Sequence, residues 1–439
     1  MVNYIFLIIY ILFSGSLSGT DLYYLLSIHC LIAMIAHLQQ KDNKITPIFL
    51  FYVGVITVNY ADIVLISKIN TESIKMYNYI VPKYIDDAVQ LWCISTTLMI
   101  IGYNMAGKRS LPTIAFEIKK PKVLENIFYI LLASNVMTIM GNRISFLPGP
   151  AMKIFALLNL IGIMFYARLW AIHDEKKYRM YAVTLWILET YVAIYTAFLR
   201  VELILPTVCI YAGYFIGKGK MKYVFSYRIV PFLLIISLYA SIFKTLQANR
   251  TNFAAVIFES DYNGSEVKDK GKENSGALLE RSANLAQMTC VMKLVAQNGF
   301  YNGKASEPLA AAVIPRFLWP DKPLIQLGGW FAYEISGGQK AAAEKATNSI
   351  NMTVPGELYL DFGWWGVAIG SLLFGAFFPL LWNSANFYSS EYNISGTLIG
   401  GYLFILAQSG LGGDLQIVIS LLSLYFSFWV LKKFLAGKL

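Results

Sequence analysis

A chain of 439 residues that is 57% hydrophobic and only 14% charged, with a mean hydropathy of +0.54, is too apolar for a water-soluble globule and reads as a polytopic membrane protein. In such a chain a net charge of +10 reflects basic loops on one side of a bilayer, so nucleic acid is not an expected partner. Cys30, Cys93 and Cys209 fall inside apolar runs, Cys290 has no partner in sequence, and His29, His37 and His173 have no ligand-like spacing; neither a disulfide framework nor a metal site is expected.

A helix needs about 20 apolar residues to cross ~30 Å of hydrocarbon. On that basis about twelve spans are expected, at 3–18, 21–38, 46–67, 85–106, 122–141, 151–172, 178–199, 201–217, 227–246, 356–382, 395–412 and 415–433. The first apolar block lacks a basic n-region and a cleavage site, so it reads as a signal anchor that leaves Met1 in the cytoplasm. The connections alternate in charge. Lys41 and Lys44, then Lys108, Arg109, Lys119, Lys120 and Lys122, then Lys176, Lys177 and Arg179, then Lys218, Lys220, Lys222 and Arg228, and finally Lys432, Lys433 and Lys438 form the basic set. Basic loops mark the cytoplasm, so both termini are expected there, with the long loop outside, in the periplasm of a bacterium. The expected fold is all-α, with a transmembrane bundle of about nine helices over 1–246, a large, partly helical periplasmic loop over 247–355 and about three further helices over 356–439.

Polar residues interrupt the spans: Asn59 and Asp62 in the third, Asp86 and Asp87 opening the fourth, Glu189 in the seventh, and Asp414 between the last two. Carboxylates at such depth point to function by default. Asp86 and Asp87 also suit a helix N-terminus, where the dipole favours anions, and Asp414 suits a short external turn. For Asp62 and Glu189 both readings stand.

The segment from 274 to 365 is the one long stretch a bilayer cannot hold. Leu278, Leu285, Met288, Met292 and Val295 recur on one face of a helix starting near Ser275 and stopping at Gly299, with Glu280, Arg281, Asn284 and Lys293 opposite. Such a helix lies at the membrane interface or packs on the bundle. Ser306-Glu307-Pro308 reads as the start of a short helix ended by Pro315. Prolines then stiffen the backbone around Arg316, Asp321 and Lys322.

Arg200, Arg250, Arg281 and Arg316 fall at or beyond the outer ends of spans. A guanidinium offers a fork of donors matched to phosphate oxygens, so these residues suit an outer-leaflet lipid pyrophosphate; the other reading, preferred for Arg250, is an interfacial salt bridge. Glu357 and Asp361 stand four apart and share a face if the helix has begun by Gly356. Either one serves as a general base, or Glu357 occupies a first turn and Asp361 pairs with a nearby cation. Gly363, Gly366 and Gly370 point to close helix packing.

The run IPRFLWPDKP at 314–323, with GFYNGK at 299–304 before it and PGELYLDFGWWG at 355–366 after it, resembles the oligosaccharide repeat-unit polymerases, the O-antigen polymerase (Wzy-type) family. The specific part covers about a fifth of the chain. The resemblance implies a GT-C-like, metal-independent and cofactor-free membrane glycosyltransferase that polymerises undecaprenyl-pyrophosphate-linked repeat units at the periplasmic face of the inner membrane. A flippase would deliver the units and a chain-length regulator would be a partner. By resemblance Arg200, Arg281 and Arg316, with Lys322 beside the last, handle the pyrophosphate, and Glu357 or Asp361 takes the hydroxyl proton. The Arg-x10-Gly spacing of some members is not matched at any of the three arginines. An O-antigen ligase or another lipid-linked-sugar glycosyltransferase would share these features with a different acceptor. A non-enzymatic lipid-linked oligosaccharide flippase would have little need of the long loop.

Overall fold

The computed structural model of the chain describes residues 2–13, 16–40, 46–71, 80–115, 117, 120–144, 149–196, 200–218, 230–231, 234–235, 284–304, 306, 327–335, 351–407, 409–412 and 415–436. They form α1 (Val2–Leu12), α2 (Gly19–Gln40), α3 (Pro47–Thr71), α4 (Ile85–Ala106) behind a 3-10 turn at Pro82–Tyr84, α5 (Pro121–Ile144), α6 (Gly149–His173), α7 (Lys176–Thr196) and α8 (Arg200–Lys218). In the second half come α9 (Leu285–Asn298), α10 (Leu327–Ile335), α11 (Val354–Ala385), α12 (Ile394–Ala407) and α13 (Gln416–Ala436). Among the described residues there is no β-strand. Among the described residues four helical stretches, Gly19–Gln39, Pro47–Ser67, Pro82–Ala106 and Val354–Ala385, are long and apolar enough to cross a membrane. Ile5, Ile8, Ile28, Ile35 and Leu373 point outward from these and neighbouring helices, a surface suited to lipid rather than water. The candidate span at 227–246 falls almost wholly outside the described residues.

Polar contacts between apolar helices fix how they pack. Ser95 of α4 and Ser371 of α11 share a buried hydrogen bond of 2.7 Å. Trp92 of α4 is fully buried and donates Nε1–H to Asn59 Oδ1 of α3 at 2.9 Å. The amide of Asn59 in turn donates to Ser27 Oγ of α2 at 3.0 Å. A second core joins α5 to α8, with Tyr166 donating to the Leu124 carbonyl at 2.6 Å and Phe128 stacked on Tyr181.

Hydrogen bonds at the helix ends sort the connections into two groups. Asn383 donates to the carbonyls of Gly107 and Arg109, and Lys432 to that of Thr113, so the basic segments after α4 and late in α13 meet the end of α11. Buried Arg168 of α6 belongs to the same end: it donates to the carbonyls of Phe387 and Ser390 and to Thr397 Oγ1, with its guanidinium 4.1 Å from the Phe387 ring centre. At the opposite end Gly19 donates its N–H to Asp86 Oδ1 at 3.2 Å, and Val81 to Thr289 Oγ1 at 3.3 Å. Asp86 and Asp87 sit in the first turn of α4, where the dipole favours them.

Two expectations change. The run read as a span over 356–382 is a bent element, because Gly363 has φ 60° and ψ −149° inside α11. Residues 354–362 fold back on the rest: a Cβ on Gly370 would lie 2.4 Å from Leu358, twelve positions earlier, where a straight helix would separate the two by about 18 Å. Trp365, 80% exposed, sits just past the bend, a placement suited to a membrane–water boundary. The loop helix α9 stops at Asn298 with Gly299 as its C-cap but starts at Leu285 rather than near Ser275. The reason for that start lies on another helix.

Candidate functional site

Asp62 sits fully buried on α3. Its Oδ1 accepts the backbone N–H groups of Asn284 at 2.9 Å and Leu285 at 3.1 Å, and its Oδ2 accepts the Tyr23 hydroxyl at 2.8 Å. The first N–H groups of a helix have no partner within it. Asp62 supplies one from a different element, while Asn284, the N-cap in sequence, makes no side-chain cap. Seated this way, α9 buries Leu285, Ala286, Met288, Thr289, Cys290, Val291, Met292 and Leu294. That set spans far more than the one apolar face read from the sequence, so α9 packs into the bundle against α4 and α11.

Past Gly299 the chain runs against the bent start of α11. Tyr301 N–H donates to the Leu360 carbonyl at 3.0 Å and Asn302 N–H to that of Asp361 at 2.9 Å. Asp361 Oδ2 accepts both the backbone N–H of Ser306, at 2.9 Å, and its hydroxyl. The Phe300 ring covers Gly363, where a Cβ would lie 2.8 Å from the ring.

The third wall is the turn between α12 and α13. Val354 N–H donates to the Leu411 carbonyl at 3.0 Å, Asn351 to that of Gly412 at 2.8 Å, and Leu415 N–H to Glu357 Oε2 at 3.1 Å. Thr353 adopts φ 70° and ψ 153°, a conformation that costs a non-glycine residue ~1–3 kcal/mol. It is clamped on both sides: its N–H donates to Asn351 Oδ1 at 3.0 Å, and its Oγ1 accepts the N–H of Gly356 at 3.2 Å. Strain over-determined by surrounding bonds is concentrated at functional sites.

The result is a buried polar seam in which residues 284–304 and 306, 351–363, 409–412 and 415 converge on two carboxylates. Glu357 and Asp361 are 3% and 0% exposed and lie on successive turns of a helix that has begun by Gly356. Each holds a backbone N–H of a neighbouring segment, so both are fixed in place. Buried carboxylates in this setting can take a proton or order a substrate hydroxyl, but they also hold the loop.

The side chains of the sequence-expected cations fall outside the described residues. Arg200 opens α8, and its side chain lies outside the described residues, as do Arg250, Arg281, Arg316, Asp321, Lys322 and Asp414. Glu189 is buried on α7, away from the seam. Tyr23, Asn284, Thr353 and Ser306, which bind or brace the carboxylates, carry no signal of a site in the sequence, whereas Asp62 does, as a carboxylate inside an apolar run. The family model described as a domain of unknown function (DUF8712) matches residues 44–437 of the chain. No curated protein and no solved structure matches it.

Proposed function

The chain belongs to the DUF8712 family, and we propose that it is a membrane glycosyltransferase that polymerises undecaprenyl-pyrophosphate-linked oligosaccharide repeat units into a surface polysaccharide. The observation that carries this reading is the pairing of two stretches of the polymerase resemblance. Residues 299–304 and 355–366, far apart in sequence, lie side by side through Tyr301–Leu360 and Asn302–Asp361, and Ser306 just beyond bonds Asp361 as well. The loop and the start of α11 are thus held rigidly together, the kind of support a site acting on a membrane-anchored sugar needs.

In this reading the chain crosses the bacterial inner membrane about twelve times in a GT-C-like fold, with both termini cytoplasmic and the loop in the periplasm. The parts are a bundle over 1–246, a loop over 247–355 and closing helices over 356–439. A hydroxyl of the incoming unit attacks the anomeric carbon of the growing glycan, the new C–O bond forms, and the lipid pyrophosphate leaves with the electron pair of the broken C–O bond. A single displacement of this kind inverts the anomeric centre. Glu357 or Asp361 accepts the hydroxyl proton, and Arg200, Arg281, Arg316 and Lys322 balance the charge developing on the pyrophosphate. Arginines take the electrostatic part a divalent metal would otherwise play, so the reaction is metal-independent and needs no cofactor. A flippase supplies the substrate and a chain-length regulator acts on the product.

Deletion of the gene tests the assignment through the surface glycan. Loss of polymerisation leaves a single repeat unit on the lipid core. A core with no repeat unit at all would mean a ligase instead, and an unchanged ladder would remove both readings.

A further inference from the structure

Away from the polar seam, α6, α7 and α8 line an open cavity of about 380 Å³ whose wall includes Trp170, Val183, Trp186, Ile210, Tyr211 and Tyr214. Its size falls in the range of small-ligand sites, about 300–1,000 Å³. The wall is apolar and aromatic: Trp170 and Tyr214 pack ring to ring at 4.9 Å, and Trp186 spends its N–H inside the protein, on Thr207 Oγ1 at 3.0 Å. Nothing in that wall calls for a polar ligand. Its rim does. Lys218, one turn beyond Tyr214, holds its ammonium 5.7 Å from the Tyr214 ring centre. Exposed Arg179 lies one turn before Val183 on the face of α7 that also carries Trp186. Both cations stand at the end of the bundle where α6 finishes, α7 begins and α8 finishes. Among the described residues neither carries a salt bridge, whereas Glu175 is taken by Lys177 at 2.8 Å and Glu391 by His173 at 3.3 Å.

An apolar slot between hydrophobic helices with two cations at its mouth matches one kind of molecule, an amphiphile with an acyl chain and an anionic head. We propose that this cavity is a binding site for one acyl chain of an anionic phospholipid, phosphatidylglycerol in class, whose phosphate is held by Arg179 and Lys218. The inference rests on the expected membrane spans at 151–172, 178–199 and 201–217 and not on the polymerase chemistry. Arg179 offers a planar fork to the phosphate, and Lys218 a point charge. On the proposed topology the site opens to the cytoplasmic leaflet, where anionic lipid attracts such residues.

Two of the nine tryptophans, Trp170 and Trp186, line the cavity and make it readable by fluorescence. The full chain is reconstituted in nanodiscs holding equal mole fractions of phosphatidylglycerol and phosphatidylcholine, with bromine on the acyl chains of one or the other. The quenching lost in Trp170→Phe/Trp186→Phe isolates the contribution of the cavity. The expected result is several-fold stronger quenching of that contribution by brominated phosphatidylglycerol than by brominated phosphatidylcholine. In Arg179→Gln/Lys218→Gln the two lipids should quench alike, and Val183→Phe, which fills the slot without adding a fluorophore that competes with tryptophan, should remove the preference with the cations intact. Each variant is first matched to wild type by circular dichroism and elution volume. Equal quenching by both lipids in the wild type, or a preference that survives the double charge substitution, overturns the proposal. Because the readout is fluorescence, loss or absence of polymerase activity does not bear on it.

Discussion

The carboxylate of Asp62 on α3 accepts the backbone N–H of Leu285 on α9 at 3.1 Å, joining residues 223 positions apart. One carboxylate inside a membrane-length helix thereby sets where α9 enters the bundle, and with it the position of the residues that follow to 304. Removing the carboxylate orphans the N–H groups of Asn284 and Leu285 and the hydroxyl of Tyr23, each at ~1–3 kcal/mol when buried. Asp62→Ala is therefore expected to release α9, whereas Asp62→Asn keeps an acceptor for the two N–H groups and loses less. Cys290 reports the release. It is 4% exposed, and burial pushes its thiol up to about 11, so the wild type should resist maleimide at neutral pH. Labelling of Cys290 in Asp62→Ala but not in Asp62→Asn is the expected pattern; protection in both would place the seat of the helix elsewhere.

Gly363 and Gly299 give a matched pair. Both have positive φ, 60° and 74°, but a Cβ at 363 meets the Phe300 ring while one at 299 meets nothing within 4 Å. Gly299→Ala should cost the backbone strain alone, ~1–3 kcal/mol, and Gly363→Ala distinctly more. Adding Phe300→Ala should recover part of the loss at 363 and none at 299. Thermal midpoints of the singles and doubles give the coupling, and an additive result would show that the ring does not brace the bend.

Glu357→Gln and Asp361→Asn separate chemistry from anchoring. An amide oxygen still accepts from Leu415 and Ser306, so both variants should fold, but neither accepts a proton. If one of these carboxylates is the base, its amide should lower turnover by ~10²–10⁴ at saturating substrate with smaller change in substrate affinity. Wild-type turnover in both returns the pair to a purely structural role.

Arg316 is the strongest candidate among the cations, because Pro315, Pro320 and Pro323 limit the backbone freedom around it. A lysine there keeps the charge and loses the planar fork, so Arg316→Lys should reduce polymer formation by ~10²–10³. Bracing of the loop by an Arg316–Asp321 pair predicts the opposite ranking, with lysine tolerated and Asp321→Asn as damaging as loss of the arginine. Polymer length, read with the accumulation of lipid-linked repeat unit, distinguishes the two.

Much of this architecture is legible in the sequence because membrane helices announce themselves by length and apolarity. The ends of α2, α3 and α4 and the stop of α9 at Gly299 follow from local composition. Two features that shape the site do not. The start of α9 is set by Asp62, a partner more than two hundred positions away, which a periodicity over 275–299 cannot contain. The bend in α11 falls two residues past Asp361, in a stretch that also holds Gly366 and Gly370, where a glycine that turns the chain reads the same as one that lets helices approach. Glu357 and Asp361 were visible as an i, i+4 pair, yet the segments they hold, at Leu415 and Ser306, come into view only in three dimensions.

The central claim is tested most directly by purified protein in liposomes supplied with one lipid-pyrophosphate-linked repeat unit as both donor and acceptor. The account predicts a ladder of glycans growing by whole repeat units, with one free undecaprenyl pyrophosphate released per linkage formed. Unchanged repeat unit, under conditions in which the protein is folded and inserted, or transfer of a single unit only to a different lipid acceptor, would contradict it.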